Sequence, residues 1–154
     1  MPNTFPKHNL ETAPEKSKPL LRQLLEQSGP NGFYSVTAES PETLTAYAML
    51  HKAFMASSFT NEEKTVIWQT INVENQCHFC VPAHTYMAKA MKIDKAVSDA
   101  LRNETALPTA RLEALRDFTL LMLRNHGNAS DAEISKFLSA GHTHQNMLEV
   151  VLGL

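Results

Sequence analysis

Glu74-Asn75-Gln76-Cys77-His78-Phe79-Cys80-Val81-Pro82-Ala83-His84 holds both cysteines of the chain, with a histidine four positions after the second. Thiols spaced this way can bond to each other or share a metal ion. On a helix each residue advances about 100°, so positions three, four and seven apart share a face. Cys77, Cys80 and His84 have that spacing. Pro82 would break a helix interior but is tolerated in a first turn. The spacing therefore predicts a helix that begins at about His78–Val81, with the thiols at its N-terminus. Unpaired N–H groups and the positive end of the helix dipole stabilise a thiolate there. His84, one turn on, can take or relay a proton. Glu74, just before the pair, is a second candidate base.

The segment ahead of the pair reads as a helix. Thr60-Asn61-Glu62-Glu63 has capping-box spacing, and Val66, Ile67, Ile71 and Val73 carry a helical pattern into the cysteine stretch. Glu63 is expected to be the reciprocal partner of the Thr60 cap. A thioredoxin-type site usually follows a strand, whereas this pair follows a helix. Haem attachment needs a histidine directly after the second cysteine, where Val81 stands. A structural zinc site needs two further ligands. His78, His84, His126, His142 and His144 are available, but no second CxxC or HxxxH follows at finger spacing. A structural zinc site stays an alternative, beside a redox-switch or disulfide-reductase module that uses the disulfide without significant peroxide turnover.

Outward from this centre the chain reads as all-α. Leu20, Leu21, Leu24 and Leu25 recur at helical spacing until Ser28-Gly29-Pro30, and Asn31-Gly32 reads as a turn. Ser40-Pro41-Glu42 opens a helix whose apolar stripe is Leu44, Tyr47, Ala48, Leu50, His51, Phe54 and Met55. Asp94 caps a short helix ending near Arg102. Pro108 opens a longer one closed by Gly127. Ser130 to Glu133 is a second capping box, and that helix stops at Gly141. Thr143 caps a last stretch that is still apolar at Leu154, which suggests cover by a neighbouring subunit or a chain cut short. His142 and His144 are expected on a polar helix start. About eight helical segments result, with no alternating strand pattern. Residues 1–17 are polar and dotted with Pro2, Pro6 and Pro14, and are expected to form an extended arm ahead of one domain at 18–154.

The chain's 154 residues fit one domain with a real core. No apolar run approaches the roughly 20 residues of a membrane helix, and residues 1–8 lack the apolar segment of a secretory signal. A soluble, cytoplasmic protein with no membrane partner is expected. The net charge of −2, with scattered lysines and arginines, leaves no basic stripe for nucleic acid. Two cysteines in a reducing compartment point to redox, catalytic or metal chemistry rather than a disulfide framework.

Asn75-Gln-Cys-His-Phe-Cys-Val-Pro-Ala-His84 resembles the N-x-C-x-[YF]-C-x-x-A-H signature of the alkylhydroperoxidase D-like (AhpD-like) proteins of the carboxymuconolactone decarboxylase superfamily. Pro30 to Phe33, Ala38 to Pro41, Phe59 to Glu63 and Leu148 to Leu154 are similar to further family segments, so the likeness covers about residues 14–154. It implies an AhpD-like helical bundle of about seven or eight helices, assembled as a homo-oligomer (dimer, trimer or hexamer). It also implies a hydroperoxidase that needs no haem, flavin or other cofactor. By that resemblance Cys80 is the peroxidatic thiolate, Cys77 the resolving thiol and His84 the relay histidine. A small-molecule hydroperoxide is the substrate. A dithiol, in known members a lipoyl-bearing protein, reduces the Cys77–Cys80 disulfide.

The chain departs from the family at three places. The relay glutamate of many members falls twelve positions before the first cysteine, where this chain has Thr65. Thr65, Gln69, Asn72 and Gln76 instead form a polar stripe on one helix face. The relay is therefore expected through Glu74, or through that stripe and water. Phe79 stands where well-studied members carry histidine. Relatives also continue for part of a helix beyond the position of Leu154. The superfamily's decarboxylase works without a CxxC pair, so the cysteines argue against that activity.

Overall fold

The computed structural model describes residues 5–154, and among these every regular element is a helix. There are nine: α1 Lys18–Ser28, α2 Gly32–Thr37, α3 Pro41–Met55, α4 Asn61–Glu74, α5 Cys80–Ala90, α6 Lys95–Asn103, α7 Ala110–Arg124, α8 Asp131–Ser139 and α9 His144–Gly153. The all-α expectation holds. The count exceeds it by α2, at the place read as a turn. Asn31 does not turn the chain: its side-chain oxygen accepts the Phe33 N–H at 2.9 Å and so caps a short helix.

The chain divides into two compact units, Met1–Lys52 and Ala53–Leu154. In the first unit Leu21, Ala38, Leu44 and Ala13 are buried together. Gly29, at φ 72 and ψ −173, ends α1 in a positive-φ backbone conformation that glycine adopts without a Cβ penalty, and donates its N–H to the Leu25 carbonyl. The first four residues of the expected arm at 1–17 lie outside the described residues. Of the remainder, Asn9 caps a turn by accepting the N–H groups of Glu11 and Thr12. The buried Ser17 donates its hydroxyl to the Ala38 carbonyl at 2.7 Å. The α3 stripe is narrower than its sequence pattern, since Leu50 is exposed.

The second unit is built on α4, which packs against α5, α6, α7 and α9. Its capping box forms as expected: Glu63 N–H donates to Thr60 Oγ1, and Thr60 N–H donates to Glu63 Oε2. Val66 and Ile67 of α4 are fully buried with Leu115 and Phe118 of α7, Phe137 of α8 and Val150 of α9. Each such side chain contributes about 1.5–3 kcal/mol by leaving water. Phe118 and Phe137 stack at 4.2 Å. Gly153 lets α9 approach the core: a Cβ there would lie 2.7 Å from the Phe54 ring. Pro108 stands just ahead of α7, whose cap is Thr109, accepting the Leu112 N–H on its hydroxyl at 3.2 Å. His142 is not on a polar helix start. It is buried and stacks on Phe137 at 4.3 Å, with Nε2 3.0 Å from the Arg111 carbonyl. At the end of α9, Val150 faces the core while Leu148, Val151 and Leu154 are exposed.

Candidate active site

The cysteine pair sits where α4 ends and α5 begins, and main-chain bonds set its position. Gln76 adopts φ 49 just past the end of α4. Its N–H donates to the Val73 carbonyl at 2.9 Å, and the Cys77 N–H donates to the Asn72 carbonyl at 3.0 Å. These two bonds make a Schellman closure, with glutamine in the left-handed position that glycine usually takes. α5 then starts at Cys80, with Pro82 in its first turn as expected. Cys77 and Cys80 are joined by a disulfide, their Cα atoms 5.3 Å apart, inside the range a bridge spans without backbone movement. The Cys80 N–H, at the head of α5, donates to Cys77 Sγ at 3.1 Å. In the reduced pair that donor would favour negative charge on the Cys77 sulfur. Both cysteines are partly accessible, and Phe79 between them is 53% exposed.

The polar stripe of α4 lies beneath the first turns of α5. Gln69 has no exposure, yet every hydrogen-bonding group of its amide is used. Its nitrogen donates to the Val81 carbonyl at 3.1 Å and to Thr85 Oγ1 at 3.0 Å, and its oxygen accepts from Asn72 Nδ2 at 3.1 Å. Gln69 ties α4 to the turn that follows Cys80, and Asn72 ties it to Cys77. Thr65 is buried and donates its hydroxyl back to the Asn61 carbonyl at 2.9 Å. Gln76 is exposed and stands apart from this network.

His84 lies one turn beyond Cys80 on the same flank of α5, partly buried, its ring edge-on to Trp68 at 4.9 Å. Trp68 is a component that the sequence did not flag, because α4 and α5 bring the two rings together across a helix interface. Glu74 is placed differently from a free base. It closes a two-pronged ion pair with Arg124 of α7, at 2.6 and 2.7 Å. The Arg124 hydrogen bonds, with its charge, hold the Glu74 carboxyl below the ordinary range. Glu63 is buried and also paired, accepting from Arg111 at 2.9 Å. Burial raises its carboxyl pKa, but the Thr60 and Arg111 hydrogen bonds outweigh that and bring it below the usual value. Among the described residues no three His, Cys, Asp or Glu side chains are grouped to hold a metal ion.

A cleft of about 700 Å³ opens between α5 and α6, within the range of small-molecule sites. Val81 and Pro82 form part of its wall. No helix of the described residues is long and apolar enough to cross a membrane.

No family model and no curated protein matches this sequence. Solved structures do match the fold. One is the alkylhydroperoxidase AhpD core of an uncharacterized peroxidase-related protein from Ralstonia eutropha JMP134. Its TM-score is 0.84 at 20% identity, covering 97% of this chain and 81% of that one. Another is an uncharacterized peroxidase-related protein from Silicibacter sp. TM1040, with a TM-score of 0.81 at 19% identity, covering 97% and 80%. The chain therefore has the AhpD-like helical fold that its cysteine signature led one to expect.

Proposed function

We propose that this chain is a CxxC-dependent alkyl hydroperoxidase. The observation that carries the reading is the Cys77–Cys80 pair, within bonding reach at the start of α5 in an AhpD-like fold. In the reduced pair, the Cys80 thiolate attacks the distal oxygen of a small-molecule hydroperoxide. The O–O bond breaks, the departing alkoxide takes a proton relayed through His84, and Cys80 becomes a sulfenic acid. The Cys77 thiolate then attacks that sulfur. The S–S bond forms and hydroxide leaves, protonated to water. The N–H of Cys80 aimed at Cys77 Sγ supports the resolving role, because it favours the thiolate that must attack. A dithiol donor, of the lipoyl-bearing kind in the resemblance, returns two electrons and two protons.

Among the carboxylates, Glu74 has the place nearest the pair in sequence, but its ion pair with Arg124 makes it a weak base. We assign the relay to His84, with Gln69 and Asn72 holding the turn. The reading places the protein in the cytoplasm as a homo-oligomer, in keeping with the exposed Leu148, Val151 and Leu154 of α9. The test is hydroperoxide consumption with a dithiol donor. Cys80→Ser is expected to abolish it, and equal rates in wild type and variant would sink the proposal.

A redox switch without peroxide turnover is the second reading. It is favoured by Thr65, whose hydroxyl is bonded within its own helix where relatives place a relay glutamate. It predicts that one equivalent of hydroperoxide or of a disulfide oxidant closes the bond and changes assembly, with negligible turnover. Mass spectrometry with light scattering separates the two readings.

A further inference from the structure

The α5–α6 cleft lies on a different flank of α5 from the redox pair. With about 100° per residue, Val81, Thr85 and Lys89 fall roughly 100–180° around the helix from Cys80, while His84 falls within about 40° of it. The floor is apolar, from Val81, Pro82 and Ile93, with the 75%-exposed Tyr86 ring beside it. Three cations line the cleft, Lys89, Lys95 and Arg102, against a single carboxylate, Asp99. Lys95 is paired with Asp99. Lys89 and Arg102 have no ion-pair partner among the described residues. A chain of net charge −2 thus concentrates an excess of positive charge around an apolar trough.

Such a trough suits one kind of occupant: an apolar chain that ends in an anion. A bare inorganic anion would leave the Val81, Pro82 and Ile93 wall wet. An uncharged alkane would leave two cations unanswered. We propose that the α5–α6 cleft binds an amphiphilic carboxylate of the fatty-acid class, its chain along Val81, Pro82 and Ile93 and its carboxylate paired with Lys89 and Arg102. The site does not use the cysteines, so it stands or falls separately from the hydroperoxidase reading.

The experiment is titration calorimetry with dodecanoate below its micelle concentration, with the full chain in its oxidised form. Saturable binding is expected in wild type and in the Cys77→Ser/Cys80→Ser variant. The uncharged methyl ester is expected to bind more weakly. The Lys89→Ala/Arg102→Ala variant, both changes being on exposed side chains that leave the core intact, is expected to weaken dodecanoate by at least about two-fold, the low end for two partly screened ion pairs, while leaving the ester unchanged. Absence of saturable dodecanoate binding overturns the proposal. So does equal dodecanoate affinity in wild type and the double variant, or an ester that binds as tightly as the acid.

Discussion

Gln69 on α4 donates its side-chain amide to the Val81 carbonyl on α5 at 3.1 Å, from a position with no solvent exposure. Its hydrogen bonds go to Val81, Thr85 and Asn72 and to neither sulfur, so its effect on the thiols is one of position.

Gln69→Leu keeps much of the volume and removes three hydrogen bonds, leaving Asn72 Nδ2 without its acceptor. A loss of about 1–3 kcal/mol is expected in urea unfolding. Because the freed segment is the first turn of α5, the disulfide reduction potential is also expected to shift. Gln69→Glu, which can still accept from Asn72 but no longer donates to Val81 or Thr85, separates the accepted bond from the two donated ones. An unchanged potential in both variants would reduce Gln69 to a packing role.

Gln76 carries φ 49 in the Schellman closure that sets Cys77. Glycine adopts that conformation without a Cβ penalty. Gln76→Gly is expected to leave stability unchanged or raise it by up to about 1 kcal/mol. The side chain is exposed, so nothing else is lost. Loss of stability on this change, measured by the urea midpoint, would contradict the closure.

Glu74 and Arg124 decide whether a carboxylate takes part in turnover. The pair holds the Glu74 carboxyl in its ionised, weakly basic form. Glu74→Gln is therefore expected to keep peroxide turnover within about two-fold, whereas loss of a working general base costs about 10²–10⁴. His84→Gln is expected to fall in that larger range. The kcat/KM of both variants across pH 5–8 checks the assignment.

His142 gives a pH signature to the α7–α8–α9 junction. Burial pushes its pKa below the ordinary histidine value, partly offset by the hydrogen bond to the Arg111 carbonyl; the nearby Arg111 charge lowers it further, while Glu63 and Asn146 raise it. The unfolded chain then binds the proton more readily than the fold does. The stabilisation is full above about pH 6.5 and is lost as pH falls from there through the lower folded value. His51, lowered by burial in the other unit, acts with the same sign. Urea midpoints at pH 7.5 and 5.5 are therefore compared between wild type and His142→Phe. The variant is expected to lose less on acidification, since a phenyl ring keeps the stack on Phe137 and carries no titrating nitrogen.

Much of this protein is written locally. The caps at Thr60, Ser130 and Thr143, the stop at Gly29 and the start of α5 around Pro82 follow from residues within one or two turns, because a helix closes its bonds over four positions. The cysteine pair is local for the same reason: residues three apart at a helix start are already within bridging distance. Asn31-Gly32 is ambiguous in sequence because asparagine and glycine serve turns and helix caps alike, and only the Phe33 N–H decides between them. The partners of the long side chains came only from tertiary structure. Glu74 to Arg124 spans fifty positions and His142 to Arg111 spans thirty-one, and no periodicity encodes which of several acids meets which base. The sequence by itself determined an all-helical chain with its two thiols at the start of a helix and His84 one turn past the second. Packing of α4 against α5 and α7 decided that Gln69 holds the turn and that the acid beside the thiols is already engaged, because those are contacts between faces that only folding brings together.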